Sequence, residues 1–374
     1  QLHPTFLPPT PAMSHTHGSS ATSKRRLANV VQTCLPTTPP QVSVVHPGVA
    51  GGIPLSYTPV FSKHRASDVV EKFLQLKPDQ ASEAFLREYC MGGESVFTDA
   101  MAHVLKWMQW SRTDINATLG RGQMYVISHA NVRSLLTASG CAVDWTARSI
   151  LDVGAGDGNV TSTALEPLLQ PSSTPTSTST GVSSPAPCIV TTEVSGPMAQ
   201  CLRKRGYVCI ETTDLHLVKE QLNQHATPPT STPTSSATST SSPQASPTTN
   251  GTYDFISIFN VLDRADKPQS LLYDVKRLLT PSVGRCIISV VLPFCPFVEI
   301  GQRQQKPKED LNMDGGRCLE NASYERAVDV LIKNVFEPSG FKVHAWSKTP
   351  YICSGDRTTP YYVLYDAVFV LSVK

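Results

Sequence analysis

The chain has 374 residues with 32 Lys and Arg against 30 Asp and Glu, a formal net charge of +2. Five of the basic residues and none of the acidic ones precede Asp68, so the remainder carries 27 basic against 30 acidic residues, a net of −3. A slightly acidic body argues against a broad nucleic-acid-binding face, and no uninterrupted apolar stretch reaches transmembrane length.

Residues 1–67 are rich in Pro, Ser and Thr and bury too little apolar surface to offset ordering entropy, which predicts a disordered basic tail. The chain opens on Gln1, so a missing native start is expected; Lys24-Arg25-Arg26 then suits either the remnant of a transit peptide or a plain extension. Residues 68–148 read as a helical lead-in. Apolar spacing predicts helices over 66–76, 80–90 and 94–110, an extended piece over 121–127, and a helix over 129–138 ending near Gly140.

From Ser149 to Lys374 the pattern alternates strand and helix. Strands are predicted at 149–153, 188–193, 207–211, 254–260 and 285–292, and helices at 268–279 and 321–336. Two β-rich runs, 341–347 and 361–372, close the chain. Two stretches, 170–187 and 226–250, are almost wholly Ser, Thr and Pro and read as low-complexity loop inserts. Alternation of this kind implies an α/β fold with a parallel sheet, and the closing strands imply an antiparallel hairpin at its edge. The ten cysteines form no Cys-x-x-Cys pair and no Cys/His cluster at zinc spacing. They predict a reduced compartment and no structural metal. The expected location is intracellular, in the cytoplasm or an organelle (mitochondrion or endoplasmic reticulum).

The most informative stretch is Leu151-Asp152-Val153-Gly154-Ala155-Gly156-Asp157-Gly158. A strand that turns through Gly154, Gly156 and Gly158 into a helix lets the backbone approach a nucleoside closely, because no Cβ stands in the way. Asp152 is placed to order that turn. An acid at the end of the second strand takes the ribose hydroxyls about 20 residues later in such folds. Glu193 lies 39 residues after Gly154, and excising the 18-residue insert 170–187 leaves 21. The spacing Gly-x-Gly-x-Gly departs from the dinucleotide pattern. Asp157 inside it would repel a pyrophosphate but suits a sulfonium, which moves the expected cofactor from NAD to S-adenosylmethionine (SAM). Asn260 and Asp263 end the fourth strand and are expected to face the reacting methyl. Asp263 has a plainer reading as a cap or a carboxylate paired with Arg264, and Tyr351 either covers the cofactor or fills the hairpin core.

The runs Tyr253-Asp254-Phe255-Ile256-Ser257, Asn260-Val261-Leu262-Asp263-Arg264-Ala265-Asp266-Lys267-Pro268, Val291-Leu292-Pro293-Phe294 and Pro350-Tyr351-Ile352-Cys353 to Tyr361-Tyr362-Val363-Leu364 and Asp366-Ala367-Val368-Phe369 resemble the DREV family, the methyltransferase-like 9 proteins. The resemblance covers residues 95–372 without the inserts. It implies a class I SAM-dependent methyltransferase fold: Rossmann-like, with a mostly parallel seven-stranded sheet, a C-terminal antiparallel hairpin and an N-terminal helical lead-in. It further implies protein-histidine methylation at the pros nitrogen of His-x-His segments in protein or peptide substrates. Asp152, Gly154, Glu193, Asn260 and Tyr351 would then hold SAM, and Asp263 would contact the acceptor imidazole, with Tyr362 nearby.

Three departures from the family stand on the expected acceptor side: Cys295 for His, Phe297 for Tyr and Tyr365 for Asp. They keep open a SAM-dependent methyltransferase with a small-molecule or other side-chain acceptor. A non-catalytic SAM-fold interaction module is the third class. No nucleic-acid partner is expected. The tail's own His15-Thr16-His17 matches the acceptor pattern and is a candidate self-substrate or a coincidence of composition.

Overall fold

The computed structural model describes residues 55–61, 67–89, 101, 105, 112–120, 122–169, 187–226, 251–300, 303–311, 313, 319, 322–354 and 361–374. The lead-in contributes α1 (Ser67–Glu71), α2 (Gln80–Tyr89), α3 (Arg112–Leu119), the two-residue strand β1 (Met124–Tyr125) and α4 (His129–Ala138). The remainder contributes β2 (Ser149–Val153), β3 (Cys188–Thr192), α5 (Gly196–Lys204), β4 (Val208–Ile210), α6 (His216–Ala226), β5 (Phe255–Phe259), α7 (Pro268–Leu278), β6 (Arg285–Leu292), β7 (Val298–Ile300), β8 (Arg303–Gln305), α8 (Tyr324–Val330), β9 (Phe341–Ser354) and β10 (Tyr361–Val373).

The main sheet has eight strands in the order β1-β9-β10-β6-β5-β2-β3-β4. Strands β4, β3, β2, β5 and β6 are parallel, and β10, β9 and β1 are antiparallel. The seven strands expected from sequence are therefore extended by an eighth. Residues Met124 and Tyr125 pair with Cys353 and Ile352, because β9 runs on to Ser354 instead of stopping near 347 and so offers a free edge. The short hairpin β7–β8 stands apart from this sheet.

Both faces of the central strands are covered, so β2 is buried at every position and its sequence Ser-Ile-Leu-Asp-Val does not alternate. Leu151, Val153, Ile256 and Ile258 pack with Leu272 and Val275 of α7 and Val328 and Leu331 at the end of α8. On the other face Ile150, Phe255 and Ile287 pack with Val132, Leu135 and Leu136 of α4. Helix α7 begins on Pro268 and turns Leu271, Leu272 and Val275 inward.

Two lead-in expectations need correction. The tail does not extend to 67: Tyr57 is buried at 5% exposure, and its carbonyl accepts a 3.2 Å hydrogen bond from Gln75 Nε2. The helix expected over 66–76 is only the five residues of α1, because the following backbone pairs with the hairpin. Leu74 N–H donates to the Trp346 carbonyl and Trp346 N–H to that of Lys72, both at 2.8 Å. A strand edge outcompetes helical spacing here. Of the helix expected over 94–110 only Met101 and Leu105 are described, both helical, and both inserts, from 170 to 186 and from 227 to 250, lie outside the described residues. Helix α8 passes into a π-helical turn at Leu331–Phe336.

Candidate active site

Strand order reverses between β2 and β5: from β2 the chain builds outward through β3 and β4, then returns to the other side of β2. The carboxyl ends of these two strands are where an open α/β sheet binds ligands. A cavity there is lined by Asp152, Gly154, Gly156, Asp157, Met198, Phe259, Asn260 and Tyr351 together with Asn116, Gly120, Gly122 and Met124. Five expected site residues thus line one cavity: Asp152, Gly154, Gly156, Asn260 and Tyr351.

The glycine turn is shaped by positive φ angles of 68°, 59° and 83° at Gly154, Gly156 and Gly158. A Cβ at Gly154 would run into Val261 Cγ2, and one at Gly158 would come within 2.8 Å of Leu202 Cδ2; at Gly156 the space is open. Gly158 therefore serves packing against α5 and is not on the cavity wall. Helix formation after the turn is brief. Residues Thr161–Leu165 form a π-helical turn and Glu166–Leu168 a 3-10 turn before the first insert.

Asp152 orders this turn through side chains. Its Oδ2 accepts a 2.6 Å hydrogen bond from the Thr161 hydroxyl and its Oδ1 one of 2.7 Å from Ser257 on β5. Burial nevertheless pushes its carboxyl up to about 6; the two hydroxyls oppose the shift and the Glu193 charge adds to it. Glu193 sits directly after β3, where the excised spacing placed it, and holds the turn at Gly156, which itself lines the cavity. Its Oε2 accepts from Gly156 N–H at 2.9 Å, and its Oε1 from the N–H groups of Val194 and Ser195 at 2.8 and 2.9 Å. Asp157 does reach the wall, with Arg205 Nη2 4.0 Å away.

Asn260 follows β5 with φ 56°, a left-handed conformation that Asn tolerates better than most residues. Asp263 comes one turn later, 2% exposed, with Oδ2 2.6 Å from Arg264 Nη1 and Oδ1 buried without a hydrogen bond. Its plainer reading, a pair with Arg264, is thus present. Burial still pushes it up to about 6, although Arg264 pulls it down. The Arg264 guanidinium lies 3.8 Å from the centre of the Phe297 ring, and Phe297 N–H donates to the Asp263 carbonyl at 3.0 Å. Asp263 and Tyr362 are not on the cavity wall. Tyr362 pairs with Cys353, on the sheet face that also carries Tyr351 and Asp366.

Of the three departures, Phe297 flanks Asp263 directly and Cys295 precedes it in the same half-buried loop. Tyr365 does not belong with them. It points to the opposite face of β10 from Asp366, where its ring takes the Lys348 ammonium at 4.2 Å.

Sequence reasoning missed two contributions. The lead-in forms a cover over the cavity (Asn116 to Met124), tied to the cofactor side where Ser195 Oγ donates to Asp114 Oδ1 at 2.5 Å. Asp366 is a fully buried carboxylate whose Oδ2 accepts from Asn260 Nδ2 at 2.9 Å. A charged residue inside an apolar strand was the available signal.

The DREV methyltransferase sequence profile matches residues 60–224 and 243–373. The chain belongs to the DREV methyltransferase family. The DREV profile passes over 225–242, within the second Ser/Thr-rich stretch. Similar solved structures include the trans-methyltransferase CalH in complex with SAH, 19% identical over 65% of this chain with a TM-score of 0.33; the alignment spans 55% of that protein. A SAM-dependent methyltransferase from Aquifex aeolicus is 13% identical over 60% of this chain and 84% of its own, with a TM-score of 0.30. The CurJ carbon methyltransferase is 14% identical over 66% of this chain and 54% of its own, with a TM-score of 0.34. Membership in DREV makes S-adenosylmethionine the methyl donor, and the glycine cradle open at Gly156 fits a nucleoside group lying against backbone.

Among the described residues Asp214, His216 and Asp274 bring their ligand atoms within 4.8 Å of one another, away from the cavity wall. The His216 ring is already satisfied on both sides, with Asp274 2.8 Å from Nε2 and Arg277 3.0 Å from Nδ1.

Proposed function

We propose that this SAM-dependent methyltransferase acts on histidine, at the pros nitrogen of His-x-His segments in protein substrates. The observation that carries the reading is Asp263: a buried carboxylate beside the cofactor cavity that keeps one oxygen, Oδ1, without a hydrogen bond. When bound, SAM supplies an electrophilic methyl on a sulfonium. Neutral imidazole is the nucleophile, and with an ordinary pKa near ~6.5 it needs no strong base at neutral pH. What the protein must supply is the tautomer. Asp263 accepts the N–H of the far ring nitrogen, which leaves the lone pair of the pros nitrogen facing the donor. Its charge then favours the imidazolium that develops.

Asp152 and Glu193 fix the glycine turn, Asn260 and Tyr351 wall the cofactor, and Asn116, Gly120, Gly122 and Met124 complete the lining. Phe297 stacked on Arg264 shapes the approach to Asp263. Incubation with isotope-labelled SAM and a His-Ala-His peptide is expected to give pros-methylhistidine on amino-acid analysis. Label on no histidine, or on another side chain, would overturn the acceptor assignment. The same assay on the full chain asks whether His15 or His17, outside the described residues, takes a methyl in cis or from a second copy.

A further inference from the structure

Asp366 occupies the middle of β10, fully buried, cross-strand from Thr349 and on the same face as Tyr351 and Tyr362. Its Oδ2 holds Asn260 Nδ2, while Asn260 Oδ1 accepts a 3.1 Å hydrogen bond from Ser289 on β6. This clamp fixes a left-handed residue that itself lines the cavity. A chain of contact therefore runs from the Asp366 carboxylate through one carboxamide to the cofactor wall.

The other oxygen, Asp366 Oδ1, is buried without a hydrogen bond. Asp263 in the turn after β5 adds a like charge, and burial with that charge pushes Asp366 up to about 7 against the hydrogen bonds of Asn260 and Ser289. Tyr351 on β9 also faces Asp366, and from the opposite face the Tyr324 hydroxyl of α8 donates to the Asp366 carbonyl at 2.6 Å. The nearby cations are committed elsewhere: Arg264 to Asp263, and Lys348 to the rings of Tyr365 and Tyr324 on the other face. Among the described residues no cation makes an ion pair with Asp366. A buried carboxylate lacking a counter-charge is held toward its neutral form, and a fixed positive charge arriving next door reverses that preference.

We propose that Asp366 is a positioning residue that responds to the charge of the cofactor through Asn260. It releases its proton to solvent when the sulfonium donor fills the cavity, and takes one back when the uncharged thioether product replaces it. The ionised form grips Asn260 more strongly, by a charge-assisted hydrogen bond, so the wall tightens on the donor and loosens on the product. The inference rests on SAM as donor and is independent of the acceptor.

Calorimetric titration of SAM and of S-adenosylhomocysteine at pH 7, in two buffers of different ionisation heat, tests it. SAM binding is expected to release roughly half a proton more than S-adenosylhomocysteine binding. D366N is expected to bind both and lose the difference. Asp152, Asp157 and Glu193 are common to both proteins and cancel in the comparison. In the unmodified protein the ratio of SAM to S-adenosylhomocysteine affinity should also rise up to about tenfold from pH 6 to pH 8. A flat ratio, or equal proton release in the unmodified protein and D366N, would overturn the proposal. A failed peptide assay would leave these titrations unchanged, so the two ideas fall separately.

Discussion

The two sides of the cavity are built on different principles. On the glycine-loop side, residues within one short stretch turn the backbone itself toward the cofactor, and Asp152 and Glu193 brace the turn. On the β5–β10 side, side chains brought together from the end of β5, β6 and β10 do the work: Asn260, Ser289 and Asp366 form one clamp, and Asp263 with Arg264 stands beside it. The first side has no room for a Cβ at Gly154 or Gly158. The second is rich in buried carboxylates and is governed by charge.

That contrast breaks most sharply at Gly154. Gly154→Ala must hold a side chain at φ 68° and against Val261. A non-glycine residue in that region costs on the order of 1–2 kcal/mol before the clash is counted. SAM affinity measured by calorimetry should fall about a hundredfold or more. Unchanged affinity would mean that the turn is not the cradle.

On the opposite side the expected loss is in turnover instead. Asp263→Asn should lower peptide methylation about 10²-fold or more while SAM affinity stays within about threefold. Labelled-methyl transfer beside calorimetry separates the two, and a mutant that turns over at the unmodified rate removes Asp263 from the chemistry.

The carboxylates also set a pH dependence. Asp152 and Asp263 are raised to about 6 and Asp366 to about 7 by burial, so between pH 4 and 7 these three carboxyls hold more protons in the folded chain than in the unfolded one and outweigh His344, whose imidazole burial lowers to about 4. Stability must then fall as pH rises through that window, by a few kcal/mol in order of magnitude. Thermal melting of the ligand-free protein should show a higher midpoint at pH 5 than at pH 8. D366N should flatten the slope.

The smallest effect is expected at the cover. Asp114→Asn keeps the shape of the contact with Ser195 but weakens its charge-assisted hydrogen bond. SAM affinity should drop about threefold with little change in kcat. A larger drop in kcat than in affinity would make the cover part of the acceptor site.

The loop side was legible because its information is local. Glycine spacing encodes a backbone turn, and a low-complexity insert is recognisable by composition, so Glu193 could be found by excision. Its carboxylate holds the turn through the Gly156 N–H. On the β5–β10 side Asn260 and Asp263 stood out in the sequence by their place at a strand end, whereas Asp366 looked like one polar residue in an apolar strand. Grouping Tyr365 with Cys295 and Phe297 failed because strand alternation sends it to the other face, toward Lys348. The lead-in cover was invisible because nothing in the run from Asn116 to Met124 signals its proximity to Gly154.

By itself the sequence determined the α/β alternation, the glycine turn and the closing hairpin, all set by local periodicity and by the backbone freedom of particular residues. Only the tertiary structure decided the eighth strand, the lead-in cover and the joining of Asp366 to Asn260. Each of these depends on which strand lies beside which. Burial then does the rest: a carboxylate that would be ordinary on a surface becomes sensitive to a neighbouring charge once no water and no cation can answer it.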